Sequence, residues 1–157
     1  SPTSGTVLID FGANTANAIE WAISETDSDV DVSGSDGAGA VVQSQTAGSD
    51  TAATSVTVTL SAFDNSTRNS ALIMAAHEFA EVSAEEAGYT ELSDGNVATP
   101  SLGMATAWKL GEDTSPSYSW VTSRRYAAVA VEIKAVTGLA GVLAFTASGG
   151  MIGRQDI

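Results

Sequence analysis

Alternation with a period of two is the feature that most constrains this chain. Val56-Thr57-Val58-Thr59-Leu60 sets apolar side chains on one side and threonines on the other, with β-branched residues prominent. Successive side chains of a strand point to opposite faces, so such a run fits a half-buried strand. Tyr118-Ser119-Trp120-Val121 and the stretch from Tyr126 to Ile133 carry similar patterns. The run Ala71 to Ala76 also reads as strand, because it is short and bounded by turn-forming residues.

On this reading strands are predicted over residues 6–11, 18–26, 39–47, 55–61, 70–78, 88–92, 102–110, 117–121, 126–134 and 140–147. One segment, Phe79 to Ala87, is a helix candidate: Glu78, Glu81, Glu85 and Glu86 accompany it, and Gly88 stands where a C-cap belongs. An ordered loop is the alternative there. Many short strands divided by turn clusters, with no regular strand–helix alternation, predict an all-β sandwich or barrel. A length of 157 residues suits one domain with a core of its own. We expect a sandwich over residues 1–135 and a C-terminal strand and tail over 136–157, the latter an inter-subunit contact.

A weak internal repeat runs through the chain. Three times an alternating strand, a polar turn and an apolar strand end near a glutamate: Glu25, Glu78 and Glu132. Chance likeness among strands explains this as readily as true repetition.

Charge narrows the partners. Nineteen acidic against six basic residues give a formal net charge of −13, and Lys109 and Lys134 are the only lysines. Such a surface repels phosphate backbones and anionic lipid heads, so neither nucleic acid nor membrane is an expected partner. It also fits a salt-adapted source and predicts stability that rises with added salt. There is no cysteine, so disulfides, thiol nucleophiles and thiolate metal sites are excluded. No apolar run approaches the roughly 20 residues that span a bilayer as a helix, and no leader-like segment opens the chain. The expected location is a virion or an extracellular surface.

Certain residues carry a resemblance. They are Gly39 to Thr46, Thr54 to Ala62 and Asn69 to Leu72, followed by Gly88-Tyr89-Thr90-Glu91-Leu92, Met104 to Lys109, Ser117 to Trp120 and Tyr126 to Ile133. The pattern resembles modules of tailed-phage virion proteins and bacterial surface proteins, over roughly residues 18–135. The resemblance implies a jelly-roll-like antiparallel β-sandwich, of about 8–10 short strands with at most one short helix. It brings no catalytic residues.

Candidates for chemistry are few. His77 is the only histidine, and Glu81 stands where the second histidine of a His-Glu-x-x-His zinc motif belongs. Neither a Gly-x-Ser-x-Gly elbow nor a glycine-rich phosphate loop occurs. Glu25, Glu78 and Glu132 would have to converge to form a glycosidase pair. Asp27, Asp29 and Asp31 offer hard oxygens in a short loop that suit calcium, but a solvated acidic loop is the default and no cofactor is expected; the EF-hand spacing fails at Val32 and Ala38. Tyr118 and Trp120 share one strand face and form a sugar-stacking platform if that face is exposed, or part of the core if it is not. Asn65-Ser66-Thr67 is a glycosylation sequon in a predicted turn.

The expected function is therefore non-enzymatic: a virion structural protein, as a capsid decoration protein or a small tail or fibre component. It would form a homo-oligomer and contact other virion proteins such as a capsid shell protein. The alternative is a carbohydrate-binding or adhesion module that meets a surface glycan.

Overall fold

The computed structural model describes residues 19–26, 29–81, 83–136 and 145–152, with side chains for 29–81 and 83–136. The described residues are mostly antiparallel β-sheet with almost no helix, in a sandwich-like all-β fold. Its strands are β1 (Ile19–Thr26), β2 (Val41–Thr57), β3 (Ser70–His77), β4 (Ala84–Glu85), β5 (Thr90–Ala98), β6 (Ser101–Leu110), β7 (Ser117–Ile133) and β8 (Phe145–Ile152). A six-stranded sheet has the order β2-β7-β3-β6-β5, with β4 pairing β7 off that path. A two-stranded sheet joins β1 to β8, from Ile19 opposite Ile152 to Thr26 opposite Phe145. Strand β8 lies against β5, and β1 touches β6.

The core follows from strand parity. On β3, Ala71, Ile73, Ala75 and His77 point inward; Ala105 and Ala107 of β6 and Ala128 and Ala130 of β7 lie beside them in register. This alanine-rich floor is nearly flat, so a second layer can approach closely. That layer carries the volume: Val56, Val58, Leu60, Phe63, Tyr89, Tyr118 and Trp120 join the same buried cluster. Val56, Tyr118 and Trp120 come from the far halves of β2 and β7, where the pairing shifts register between Ser49 and Ser55, and Val58, Leu60 and Phe63 follow β2 along the chain. The pairing continues past the strand ends, where Pro116 O accepts from Val58 N at 2.9 Å and Thr114 O from Leu60 N at 3.0 Å. Full burial of one such side chain is worth about 1.5–3 kcal/mol.

The opposite face of the same sheet is also apolar. Leu72 and Met74 of β3 neighbour Val131 and Val129 of β7 and Trp108 and Thr106 of β6. A central strand apolar on both faces reads as a continuous hydrophobic run, which is why the Ala71–Ala76 segment is a strand in spite of its alanines.

Three expectations need correction. The break expected between predicted strands 117–121 and 126–134, at Ser123-Arg124-Arg125, lies inside β7, which is one 17-residue strand in place of two short ones. Ser-Arg-Arg carries no Gly, Pro or Asn to break a strand, and its arginines are held: Arg124 lies 4.5 Å over the Phe79 ring and Arg125 pairs with Glu78 at 2.7 Å. Likewise β2 merges two predicted strands. No helix forms over the described part of 79–87; the segment bends, contributes β4, and turns at Gly88 with φ of 92°. Its glutamates are tertiary anchors, since Glu81 and Glu86 both accept hydrogen bonds from β7 residues. Specific long-range partners override a modest helix preference. The helical turn among the described residues, Ser35–Ala40, is 3₁₀ and interrupted by left-handed angles at Asp36 and Gly37.

The predicted strand 6–11 lies outside the described residues. Strand β8 pairs with β1 of the same chain.

Candidate functional site

Tyr118 and Trp120 share a face, as alternation requires, and it is the inner one, with the side chains of Ser119 and Val121 outside. At 1% and 5% exposure neither ring offers a face to a sugar. Trp120 stacks 4.8 Å from His77 and 5.7 Å from Tyr126 between ring centroids, and its Nε1 donates to Ala53 O at 2.8 Å. That bond pins the tryptophan to the irregular part of β2. Burial raises the Tyr118 phenol well above its ordinary range, and raises Tyr89 likewise with the Asp113 carboxylate adding to it.

His77 sits at the end of β3 with 2% exposure and meets Ser83, itself 4% exposed, at 3.0 Å between Nε2 and Oγ. Ser83 N donates to Asp94 Oδ2 at 2.9 Å, which ties this turn to β5. Burial pushes the imidazole below its usual value, against the pull of Glu81. Burial likewise raises the Asp94 carboxyl, while the Ser83 N–H opposes it. A hydroxyl beside an imidazole is a nucleophile–base geometry, but as placed both groups are enclosed. Sequence reasoning missed the pair because it set residue 77 at the end of a strand and residue 83 in a separate helix candidate, and strand alternation relates no residues across that break.

Glu132 is fully buried and is the hub of a second cluster. It accepts from Gln43 Nε2 at 2.8 Å, Asp64 N at 2.9 Å and the Asn69 amide. Gln43 in turn exchanges two bonds with the Ser61 backbone, and Asn69 Oδ1 accepts from Ala135 N. The carboxylate thereby fastens the 61–69 loop to β2 and β7. Glu78 lies at the other end of the sheet, since Ala71 is opposite Glu132 and β3 runs antiparallel to β7. At ~3.3 Å per residue their separation is about 20 Å, too far for a glycosidase pair. Glu25 sits in the separate β1–β8 ladder.

Of the calcium candidates, Asp27 lies outside the described residues. Asp31 is engaged by Lys134 at 2.9 Å and accepts from Ser33 N at 2.9 Å. Hydrogen bonding from Ser33, then Lys134, holds its carboxyl well below the usual carboxylate range. Asp29 adopts a left-handed backbone, φ 64°, and its carbonyl accepts from Val136 N. No group of three or more metal-ligating side chains gathers among the described residues. The sequon residue Asn65 lies in an exposed turn and uses its own Oδ1 to accept from the N–H groups of Thr67 and Arg68.

One open hollow of about 450 Å³ lies where Gly48, Ala127 and Ala76 stand side by side across β2, β7 and β3, with Leu102 and the Arg125–Glu78 pair also lining it. Among the described residues no helix is long and apolar enough to cross a membrane.

Fold and site together define an acidic, all-β protein whose distinctive polar side chains act as internal fasteners. No family model, curated protein or solved structure matches the chain.

Proposed function

We propose that this chain is a non-enzymatic structural protein of a virus particle, in the role of a capsid decoration protein or a small tail or fibre component. The observation that carries this reading is the placement of its chemistry. His77, Ser83, Asp113 and Glu132 are turned inward and spent on fastening the turns and loops of the fold. What faces outward along β2 is largely Ser, Thr, Ala and Gly. This is the division of labour of a scaffold: a rigid sheet body with an inert exterior, suited to contact with copies and neighbours. The adhesion alternative draws no support from Tyr118 and Trp120, which are buried.

The test is quantitative mass spectrometry of particles purified from the source culture, with copy number scaled to the shell protein. A copy number near that of the shell protein supports decoration, and a small fixed ratio supports a tail or fibre part. Absence from particles overturns the proposal.

A further inference from the structure

Strand β2 ends the six-stranded sheet, and among the described residues only β7 pairs with it. An unpaired edge is a row of free N–H and C=O groups that invites another strand. Folded proteins blunt such edges with Lys, Pro, inward charges, mid-strand bulges or a covering segment. The opposite edge, β5, shows such devices: it carries Glu91 and Asp94, has a register shift between Glu91 and Ser93, and has β8 against it.

Strand β2 has few of them. Its 17 residues include neither Lys nor Pro, and Asp50 is its one charged side chain. Gln43 to Ser49 pair one-to-one with Glu132 to Tyr126, and the irregularities fall outside that stretch, at Val41/Gln43 and after Ser49. The outer edge is therefore flat over Gln43–Ser49. Ser44, Gln45, Thr46 and Gly48 are exposed, and Val41 at its end is 49% exposed. On a chain of net charge −13, this is a surface where two copies can meet without like charges facing each other.

We propose that β2 is a homotypic docking edge: two copies of this chain pair β2 against β2, antiparallel, about a two-fold axis at Thr46. The axis falls there because Thr46 is the midpoint of the flat stretch. It sets Gln43 opposite Ser49, Ser44 opposite Gly48, Gln45 opposite Ala47, and Thr46 opposite itself. An antiparallel edge is self-complementary under a two-fold, and small and β-branched side chains let the strands close. The two sheets then become one continuous sheet. This inference stands apart from the virion reading, since an edge dimer forms whether or not the chain enters a particle.

Sedimentation velocity on the full chain, across a concentration series and at low and moderate salt, reads the result directly. The wild type is expected to run as a dimer. Thr46→Lys and Thr46→Glu, each alone, place like charges opposite one another and should weaken the dimer by about tenfold or more. Their circular dichroism and melting temperatures should stay at the wild-type values. An equimolar mixture of the two variants should recover the dimer, because Lys then faces Glu. A wild type that stays monomeric at high concentration, or dimers that persist in both single variants, would overturn the proposal; so would a mixture that stays monomeric.

Discussion

Gly103 is where one hydrogen atom decides a packing arrangement. A Cβ there would come within 2.7 Å of the His77 ring, 2.8 Å of Phe79 O and 2.9 Å of Glu81 O. Two of those neighbours are backbone and cannot swing aside. Gly103→Ala should therefore lower stability by about 1–3 kcal/mol or more, read as a shift in the denaturant midpoint at unchanged slope. Trp120, on the other side of the same histidine, tests the core from the large side. Trp120→Ala should cost about 3–5 kcal/mol; a melting curve superimposed on that of the wild type would contradict its enclosed position. His77 itself couples stability to pH. Its folded-state pKa lies below the ordinary value of 6.5, so between the two the unfolded chain binds more protons. Its contribution is thus fully present above about pH 6.5 and is lost as pH falls through the lower folded value. His77→Gln should remove that part of the slope in denaturation midpoints measured from pH 7.5 down to pH 5, leaving only the carboxylate contributions.

At the scale of elements, β7 organises the molecule. It pairs with β2 along one edge and with β3 and β4 along the other. Its Glu132 holds the loop that returns the chain from β2 to β3. Glu132→Ala strands the Asp64 N–H and two side-chain amides, at about 1–3 kcal/mol for each group left unsatisfied. The expected result is a large fall in melting temperature, with faster backbone hydrogen exchange at residues 61–69. Alternation made β3 and β6 legible to within a residue or so, because their periodicity is local and their flanks carry turn residues. The same rule split β2 and β7, since a long strand crossing from one environment to another loses clean alternation where it bends. The Ser83–His77 pair and the Glu132 hub were not legible. Their partners lie six and up to 89 residues apart, and no spacing rule links them.

For the whole molecule, net charge is the largest influence not expressed in any single contact. Thirteen excess negative charges repel one another across the surface, and only three salt bridges are present among the described residues. Screening acts over about 10 Å at 0.1 M salt and shortens as salt is added. The melting temperature should therefore rise between 10 mM and 0.5 M sodium chloride; a flat response would mean that the acidic groups are too dispersed to matter. By itself the sequence determined the all-β class, the positions of several strands and the net charge of −13, because these depend on periodicity and composition. Only the tertiary structure decided which face of Tyr118 and Trp120 is inside, how the glutamates of residues 78–86 are spent, and that β2 stands at an edge. Those outcomes depend on which strands become neighbours, and strand order is settled by long-range packing that no local pattern records.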